Sequence, residues 1–245
     1  MLGTDIPRGL RLLVPAGLLL TALGLAGCAP PSSTPAPSAS APTSSAPAAS
    51  ASAPASPGAP ASCEYIPAGQ AARPVDPPPS GDVETTGTVR YTLAMTGGDV
   101  TITMDRSKAP CTVNSFVSLA EQGYFDDTAC HRLGDSGLLV LQCGDPTGSG
   151  SGGPGYTFAD ELTGQETYRR GVVAMANSGP DSNGSQFILV WEDTPLEPRF
   201  TVFGKMDSAS RDVVAQMAGE GQDGSNRDGT GRPNNPSEIS KVTRG

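Results

Sequence analysis

The sequence of 245 residues contains a single histidine, His131, and its five cysteines form no CxxC pair. Zinc sites in proteins draw several Cys, His or carboxylate ligands from close spacings, so we expect no metal site and no other cofactor. A Cys–His nucleophile is also disfavoured, because Cys130 and His131 are neighbours and would point to opposite faces of a strand. The GxSxG turn of serine hydrolases and the GxxxxGK[ST] phosphate loop do not occur in the sequence, so nothing indicates those enzyme classes.

Positive charge is also scarce. Lys and Arg number 16 against 25 Asp and Glu, which gives a formal net charge of −9. Binding to phosphate backbones or to an anionic membrane surface needs clustered Lys and Arg side chains, and the sequence has no such cluster. We therefore expect no nucleic-acid partner and favour an uncharged partner such as a peptide.

The N-terminal residues have the pattern of an export signal. Arg8 and Arg11 precede an apolar stretch over residues 12–23, which is too short for an ordinary membrane-spanning helix. The following Leu-Ala-Gly-Cys, which ends at Cys28, resembles the box of bacterial lipoproteins. That resemblance implies a signal peptide over residues 1–27, a lipid on Cys28 and a location at the extracytoplasmic face of the cell membrane, with the lipid as sole anchor. The alternative is a plain secretory signal with a chance cysteine.

Composition divides the rest of the chain into three parts. Residues 28–62 are almost wholly Ala, Pro, Ser and Thr, which indicates a disordered linker that cannot bury enough apolar surface to fold. Residues 63–84 stay rich in proline and are interpreted as an irregular arm. Residues 85–245 remain as one domain, large enough for a single buried core, and we expect a monomer.

Apolar periodicity predicts the elements of that domain. Alternation of apolar and polar residues predicts short strands, and Gly97-Gly98 predicts a hairpin turn between the first two. Apolar residues three and four apart predict two amphipathic helices. The predicted strands cover residues 87–96, 100–104, 129–133, 138–143, 155–158, 172–176, 186–190, 200–205 and 238–243, and the predicted helices cover residues 112–121 and 208–218.

One motif matches a known fingerprint by chance. Residues 148–153 satisfy GxGxxG, the fingerprint of dinucleotide-binding folds. In those folds a helix follows the glycines and its N-terminus binds the pyrophosphate. Here Pro154 and a strand-like segment follow, so residues 148–153 are predicted to be a loop.

Residues 171–188 are the most informative segment of the sequence. They contain an apolar run, a polar turn rich in Asn, Gly, Pro and Asp, and a second apolar run. Two short strands around such a loop present backbone and amide groups beside an apolar wall, a surface that suits an extended peptide. The segment resembles the cyclophilin signature, and three further matches lie in order at residues 130–133, 140–145 and 201–205. The chain from about residue 85 to residue 243 is similar to cyclophilin-type peptidyl-prolyl isomerases.

This resemblance implies a fold and a function. The fold is mainly β: a closed eight-stranded antiparallel barrel capped by two α-helices. The function is peptidyl-prolyl cis-trans isomerisation, here of X-Pro segments in exported polypeptides at the outer face of the membrane. The alternative is a proline-peptide-binding chaperone or adaptor with little or no turnover.

The resemblance also assigns site residues. Arg132 matches the catalytic arginine, and Gln142 matches the glutamine that orients it and bonds the substrate backbone. Ala176 and Asn177 match positions whose backbone aligns the residues before the proline. The remaining expected contacts are Gln186 as a polar group and Leu139, Val140, Ile188, Leu196 and Phe200 around the proline ring.

The sequence departs from the family pattern around this pocket. Leu139, Val140 and Ile188 stand where human-type cyclophilins have Phe, Met and Phe, so the pocket stays apolar but loses two aromatic rings. The family's tryptophan aligns with Pro195, and its pocket histidine aligns with Phe200. These losses are the reason for keeping the weakly catalytic alternative open.

Four cysteines remain besides Cys28, and in an exported protein an even number predicts two disulfides with three possible pairings. In a cyclophilin barrel the first helix caps the end from which the strand at Cys130 starts. On that basis we expect Cys111–Cys130 and Cys63–Cys143. Pairing of Cys130 with Cys143 across adjacent strands stays open as the alternative.

Overall fold

The computed structural model describes residues 58–245. The predicted signal peptide, Cys28 and the predicted linker as far as residue 57 lie outside the described residues, so these expectations stay predictions. The described elements are β1 (Ile66–Pro67), β2 (Thr88–Met95), β3 (Gly98–Asp105), α1 (Pro110–Glu121), β4 (Thr128–Ala129), β5 (Arg132–Leu133), β6 (Val140–Cys143), β7 (Tyr156–Thr157), β8 (Val172–Met175), β9 (Phe187–Val190), β10 (Val202–Met206), α2 (Ser208–Gly219) and β11 (Glu238–Arg244).

Both predicted helices are present. Helix α1 starts at a proline, whose missing N–H costs nothing in a first turn, and buries Phe116 and Leu119. Helix α2 is capped by Asp207, whose carboxylate accepts a hydrogen bond from the Ser210 N–H (2.9 Å), and buries Val214. Each helix has 12 residues, and no helix within residues 58–245 is long and apolar enough to cross a membrane.

Nine of the strands form one antiparallel sheet in the order β4-β11-β2-β3-β10-β8-β9-β6-β5. The predicted hairpin is its longest ladder, with Thr88 opposite Asp105 and Met95 opposite Gly98. The sheet curls, because its two edge strands, β4 and β5, are separated along the chain by only Cys130 and His131. The prediction of a mainly β, antiparallel fold with two helices is confirmed.

The segment between the edges differs from the predicted single strand over residues 129–133. The Cys130 N–H donates to the Ser237 carbonyl (3.0 Å) beside β11, whereas the His131 N–H donates to the Gln142 carbonyl (3.0 Å) on β6. The segment thus changes partners between two successive residues, which divides it into β4 and β5. The sheet therefore has nine strands instead of eight, and within residues 58–245 no ladder joins β4 to β5.

The interior of the curled sheet holds the main core. Its centre is the ring of Phe116 on α1, which lies 5.0 Å from the ring of Phe125, 5.6 Å from Phe187 and 5.8 Å from Phe203. Alternate residues of β6 and β9 point into this core, among them Leu141 on β6. Their neighbours in the sequence point outward, and the candidate site lies on that outer face.

Residues 58–245 contain two disulfides, but the predicted pairing is wrong. Cys63 is bonded to Cys111 and Cys130 to Cys143, with Cα–Cα distances of 5.5 and 4.0 Å. Cys130 lies two residues before Arg132, which pairs with Gln142 on β6, and this register brings Cys130 next to Cys143 at the end of β6. The arm contacts the start of α1 instead: Cys63 forms the disulfide with Cys111, and the Tyr65 hydroxyl donates to the Cys111 carbonyl (2.8 Å).

The arm is more ordered than the prediction of an irregular segment. Its short strand β1 pairs with β7 in a separate two-stranded sheet. The predicted strand over residues 155–158 therefore exists only as β7, and it pairs with the arm instead of the main sheet. Further along the arm, Arg73 donates to the carbonyls of Gly123 (2.9 Å) and Asp126 (2.6 Å) after α1.

Candidate active site

Three of the predicted site residues form a row across the outer face of the sheet. Arg132 on β5 lies opposite Gln142 on β6, and Gln142 lies opposite Ile188 on β9. Directly opposed residues of antiparallel strands project to the same face, so the side chains of this row share one surface. The order along the row is cationic, amide and apolar.

The guanidinium of Arg132 is held at three points. Nε donates to Thr230 Oγ1 (2.9 Å), Nη1 to Gln142 Oε1 (3.0 Å) and Nη2 to Asp228 Oδ2 (2.7 Å). A guanidinium has five N–H donors, so two have no partner within the described part of the chain and remain for a bound molecule. The hydrogen bonds from Thr230 and the charge of Arg132 lower the pKa of Asp228 to about 2, so this carboxylate stays ionised well into the acidic range.

An amide chain continues from Arg132 along the site. Gln142 Nε2 donates to Gln186 Oε1 (2.8 Å), and Gln186 Nε2 donates to the carbonyls of Gly150 and Gly152 (both 2.9 Å). Each amide oxygen in the chain accepts from the previous residue, which defines the orientation of both glutamines. The structure therefore brings together Arg132, Gln142 and Gln186.

A second apolar cluster lies beside this chain on the outer face. Val140 and Ile188 form its buried floor, 1% and 5% exposed, and the half-buried side chains of Ala176, Leu196 and Phe200 pack against it. The structure thus groups five of the residues expected around a substrate. Leu139 is not among them, since it is half-buried one residue before β6 and packs against neither apolar cluster.

Tyr168, which the sequence analysis missed, supports the exposed side of this cluster. Its hydroxyl donates to the Phe200 carbonyl (3.0 Å) and accepts from the Phe200 N–H (2.9 Å). The two rings meet edge to face at 6.0 Å. Tyr168 lies outside the predicted strands, so no periodicity indicated its role.

The backbone at the end of β8 offers unpaired groups. The Ala176 N–H donates to the Gln186 carbonyl (2.9 Å), but the Ala176 carbonyl and the N–H and carbonyl of Asn177 have no hydrogen-bond partner within the described residues. The Asn177 side chain is turned aside, because its amide donates to the Asp160 carboxylate and to the Arg199 carbonyl (both 3.2 Å). Free backbone groups beside an apolar surface are what an extended peptide needs for strand-like pairing.

The glycine-rich loop after β6 is folded around the carboxylate of Asp145. It accepts hydrogen bonds from the Thr147 hydroxyl (2.7 Å) and from the N–H groups of Gly150 (2.7 Å) and Gly152 (3.0 Å). Burial alone would raise the pKa of Asp145, but these hydrogen bonds outweigh it and the pKa is lowered. No helix follows the motif at residues 148–153, as predicted, and the loop places the Gly150 and Gly152 carbonyls against Gln186.

His131 lies behind Arg132 and does not join this network. Burial lowers the pKa of His131, so its imidazole is neutral at neutral pH, and neither ring nitrogen has a hydrogen-bond partner within residues 58–245. In the same part of the chain no group of three or more His, Cys, Asp or Glu side chains is arranged to hold a metal ion. The site therefore offers one fixed cation, two oriented amides, free backbone groups and an apolar surface, which suits non-covalent work on a peptide.

Two residues of the Arg132 network were also missed by the sequence analysis. Asp228 and Thr230 lie almost one hundred positions after Arg132, in a loop before β11 that has no apolar periodicity. The only signal in the sequence is the Asp-Gly-Thr turn itself. Such turns are common in loops, so this signal could not have identified a contact with Arg132.

Comparison with known proteins agrees with this geometry. Residues 90–244 match the family model described as cyclophilin type peptidyl-prolyl cis-trans isomerase/CLD. The chain is 45% identical over 183 residues to the probable peptidyl-prolyl cis-trans isomerase B of Mycobacterium leprae, covering 66% of this chain and 62% of that protein. It is 42% identical over 184 residues to the protein of the same name in Mycobacterium tuberculosis, covering 69% of this chain and 60% of that protein. The chain thus spans about three fifths of the length of these relatives.

Solved structures give the same result. The crystal structure of a Cryptosporidium parvum cyclophilin type peptidyl-prolyl cis-trans isomerase superposes with a TM-score of 0.58 at 28% identity, covering 65% of this chain and 98% of that one. A structure of that protein in the presence of the dipeptide Ala-Pro has a TM-score of 0.57, also at 28% identity, covering 64% of this chain and 98% of that one.

Proposed function

We propose that this chain, which belongs to the family of cyclophilin-type peptidyl-prolyl cis-trans isomerases, catalyses the isomerisation of X-Pro bonds in extended polypeptide segments. The observation that carries the proposal is the three-point anchoring of Arg132 beside the oriented amide of Gln142 and the outer apolar cluster. The relatives named as isomerases and the neighbour studied with Ala-Pro support the same reaction.

The chemistry requires no covalent step. Rotation about a peptide bond meets a barrier of about 18–20 kcal/mol, because amide resonance must be broken. As the bond twists, the lone pair of the prolyl nitrogen becomes localised and accepts a hydrogen bond better than in either planar state. A permanent, fixed cation at that nitrogen stabilises the twisted form selectively, which is what accelerates a reaction. Two N–H donors of Arg132 have no partner among residues 58–245 and can take this role. Gln142 and Asp228 already hold the guanidinium in place, so little solvent has to reorganise as the prolyl nitrogen becomes more basic.

The substrate would bind along the outer face. The proline ring would rest on the cluster formed by Val140, Ile188, Leu196 and Phe200. The residues before the proline would pair with the free backbone groups of Ala176 and Asn177, and Gln186 would contact the chain between them. Pairing through the backbone accepts many sequences, which suits an enzyme that acts on many unfolded clients.

The alternative, a binding module with little turnover, has its own supporting observation. The floor residues Val140 and Ile188 are aliphatic and almost fully buried, so the ring of a bound proline would contact mainly Leu196 and Phe200. A shallower contact grips the ring less firmly. Exchange spectroscopy by NMR on an Ala-Pro peptide separates the two functions, because it detects binding by line shifts and turnover by exchange between the cis and trans signals.

Arg132→Ala tests the isomerase proposal directly. Loss of one well-placed electrostatic donor typically costs about 3 kcal/mol, so kcat/KM on an Ala-Pro peptide should fall about 100-fold. The fold should persist, because Arg132 contributes no core volume. The matched control is Arg170→Ala, which also removes an arginine paired with an aspartate, Asp212 (2.7 Å), and should retain full activity. A folded Arg132→Ala variant within threefold of the parent would refute the proposed role.

We further propose that the domain is anchored outside the cytoplasm by a lipid attached to Cys28 and that it assists the folding of exported proteins. Two disulfides within the described residues support an oxidising compartment. Slow X-Pro isomerisation limits folding there over tens of seconds, and a catalyst that needs no cofactor suits such a compartment.

A further inference from the structure

A cavity of about 620 Å³ continues the candidate site beyond Gln142 and Gln186. Besides Gln142, its walls come from the segment over residues 150–157, which runs from the glycine-rich loop into β7, the turn after β8 and three residues of the N-terminal arm. The arm residues are Ala68, Gly69 and Gln70. No residue that lines the cavity is charged, although the chain as a whole carries a net charge of −9.

The arm is held firmly at this position. The Ala68 N–H donates to the Gly155 carbonyl (2.9 Å), and the Ala72 N–H donates to the Gly153 carbonyl (2.8 Å). On one side of these bonds, the Cys63–Cys111 disulfide attaches the arm to α1. The wall formed by residues 68–70 is therefore a fixed part of the cavity.

Gln70 lies between the two residues that anchor the arm, and its own polar groups have no partner among residues 58–245. Neither its backbone groups nor its side-chain amide makes a hydrogen bond to any residue in 58–245, and the residue is exposed. Gly69 next to it has a φ of +71°, a conformation that favours glycine and that turns the chain at this point. A free carboxamide on a fixed turn at the rim of a neutral cavity has both donors and an acceptor to offer a ligand.

We propose that Gln70 is a specificity-determining residue that selects an uncharged, hydrogen-bonding side chain two positions before the proline of the substrate. This inference rests on the proposed function, which assigns Ala176 and Asn177 to the residues before the proline. Ala176 and Asn177 both line the cavity, which therefore lies beside the predicted binding position of the residues before the proline. A peptide that pairs with Asn177 would therefore place its next upstream side chain beside this cavity.

The neutral lining sets the chemical preference. A charged side chain would lose part of its hydration on entering and find no counter-charge, whereas an amide or hydroxyl would exchange water for Gln70 and the surrounding hydroxyl and carbonyl groups. A large apolar side chain would leave the same polar groups without partners. Gln or Asn should therefore be favoured over Glu, Lys and Leu.

The test compares kcat/KM for peptides of the form Xaa-Ala-Pro-Phe with Xaa as Gln, Ala, Leu, Glu or Lys, using the full chain. The parent should prefer Gln, and Gln70→Ala should reduce the rate for the Gln peptide about fivefold, the usual worth of one hydrogen bond, while the Ala peptide is unchanged. The parent should disfavour Glu and Lys alike, whereas Gln70→Glu should introduce a charge preference, with Lys favoured over Glu by about tenfold.

Gln216→Ala is the matched control, because Gln216 is an exposed glutamine on α2 that makes no side-chain hydrogen bond to the described residues. Thermal unfolding verifies that each variant is folded. If the ranking of the five peptides is the same in the parent, Gln70→Ala and Gln70→Glu, the inference is wrong while the isomerase proposal stands. If the parent turns over none of the peptides, the isomerase proposal itself fails.

Discussion

At the scale of single residues, the position of one guanidinium decides what the site can do. Arg132 would be an ordinary surface cation without its three anchors, since a free arginine side chain samples many rotamers. Gln142 is its cross-strand neighbour, so register alone predicts that contact. Asp228 is different, because it reaches Arg132 from a distant loop. Arg132, Gln142 and Gln186 could be predicted from the sequence, whereas Asp228 could not, because nothing local encodes a contact between a strand and a loop so far apart.

Asp228 is accordingly expected to be a positioning residue. Asp228→Ala should lower kcat more than it changes KM, by about threefold, because an exposed ion pair contributes only about 0.2–1 kcal/mol. Since the pKa of Asp228 is about 2, the ion pair should persist at every pH above about 4. In the Arg132→Ala background the substitution should have no further effect, as a double-mutant cycle would measure. Asp212→Ala is the control, and additive losses in the double variant would contradict the assignment.

At the scale of elements, periodicity predicted the two helices and the hairpin because each is decided by neighbours within a few residues. It failed where pairing is decided by distant partners. Residues 129–133 look like one strand, but the Cys130 N–H bonds beside β11 and the His131 N–H bonds to β6, near opposite ends of the sheet. The same distant geometry decides the disulfides, since four cysteines in a sequence do not reveal which strands are adjacent.

The two disulfides should therefore have separable effects. By loop entropy, Cys63–Cys111, with a sequence separation of 48, contributes about 4 kcal/mol to stability, and Cys130–Cys143, with a separation of 13, contributes about 3 kcal/mol. Replacing both members of a pair by Ala and following thermal unfolding should reveal this order. Only the Cys130/Cys143 variant should also lose turnover of Ala-Ala-Pro-Phe, because Cys143 is next to Gln142. Equal activity in the two variants would show that the disulfide beside the site does not position it.

At the scale of the whole molecule, the chain combines a domain and an N-terminal arm. The family of the domain could be identified from the order of four sequence motifs, whereas the position of the arm could not be predicted from the sequence. The arm has no apolar periodicity and is rich in proline, so the sequence indicated an irregular segment. It is ordered through groups that no pattern reveals: backbone hydrogen bonds to the Gly153 and Gly155 carbonyls, the Arg73 contacts and a disulfide to α1. Its fixed path makes the arm a part of the domain.

The anchor gives the last prediction. Expressed in a bacterium that processes lipoproteins, the parent should incorporate radiolabelled palmitate and sediment with membranes, because Cys28 would carry the lipid that attaches the chain. Cys28→Ser should incorporate no label and should either be released or accumulate as an unprocessed precursor. Ser32→Ala, a change of similar size a few residues downstream, should behave like the parent. Membrane association and labelling that persist in Cys28→Ser would show that the chain is attached by another group, while leaving the arguments for Arg132 and Gln70 intact, since both rest on residues of the folded domain.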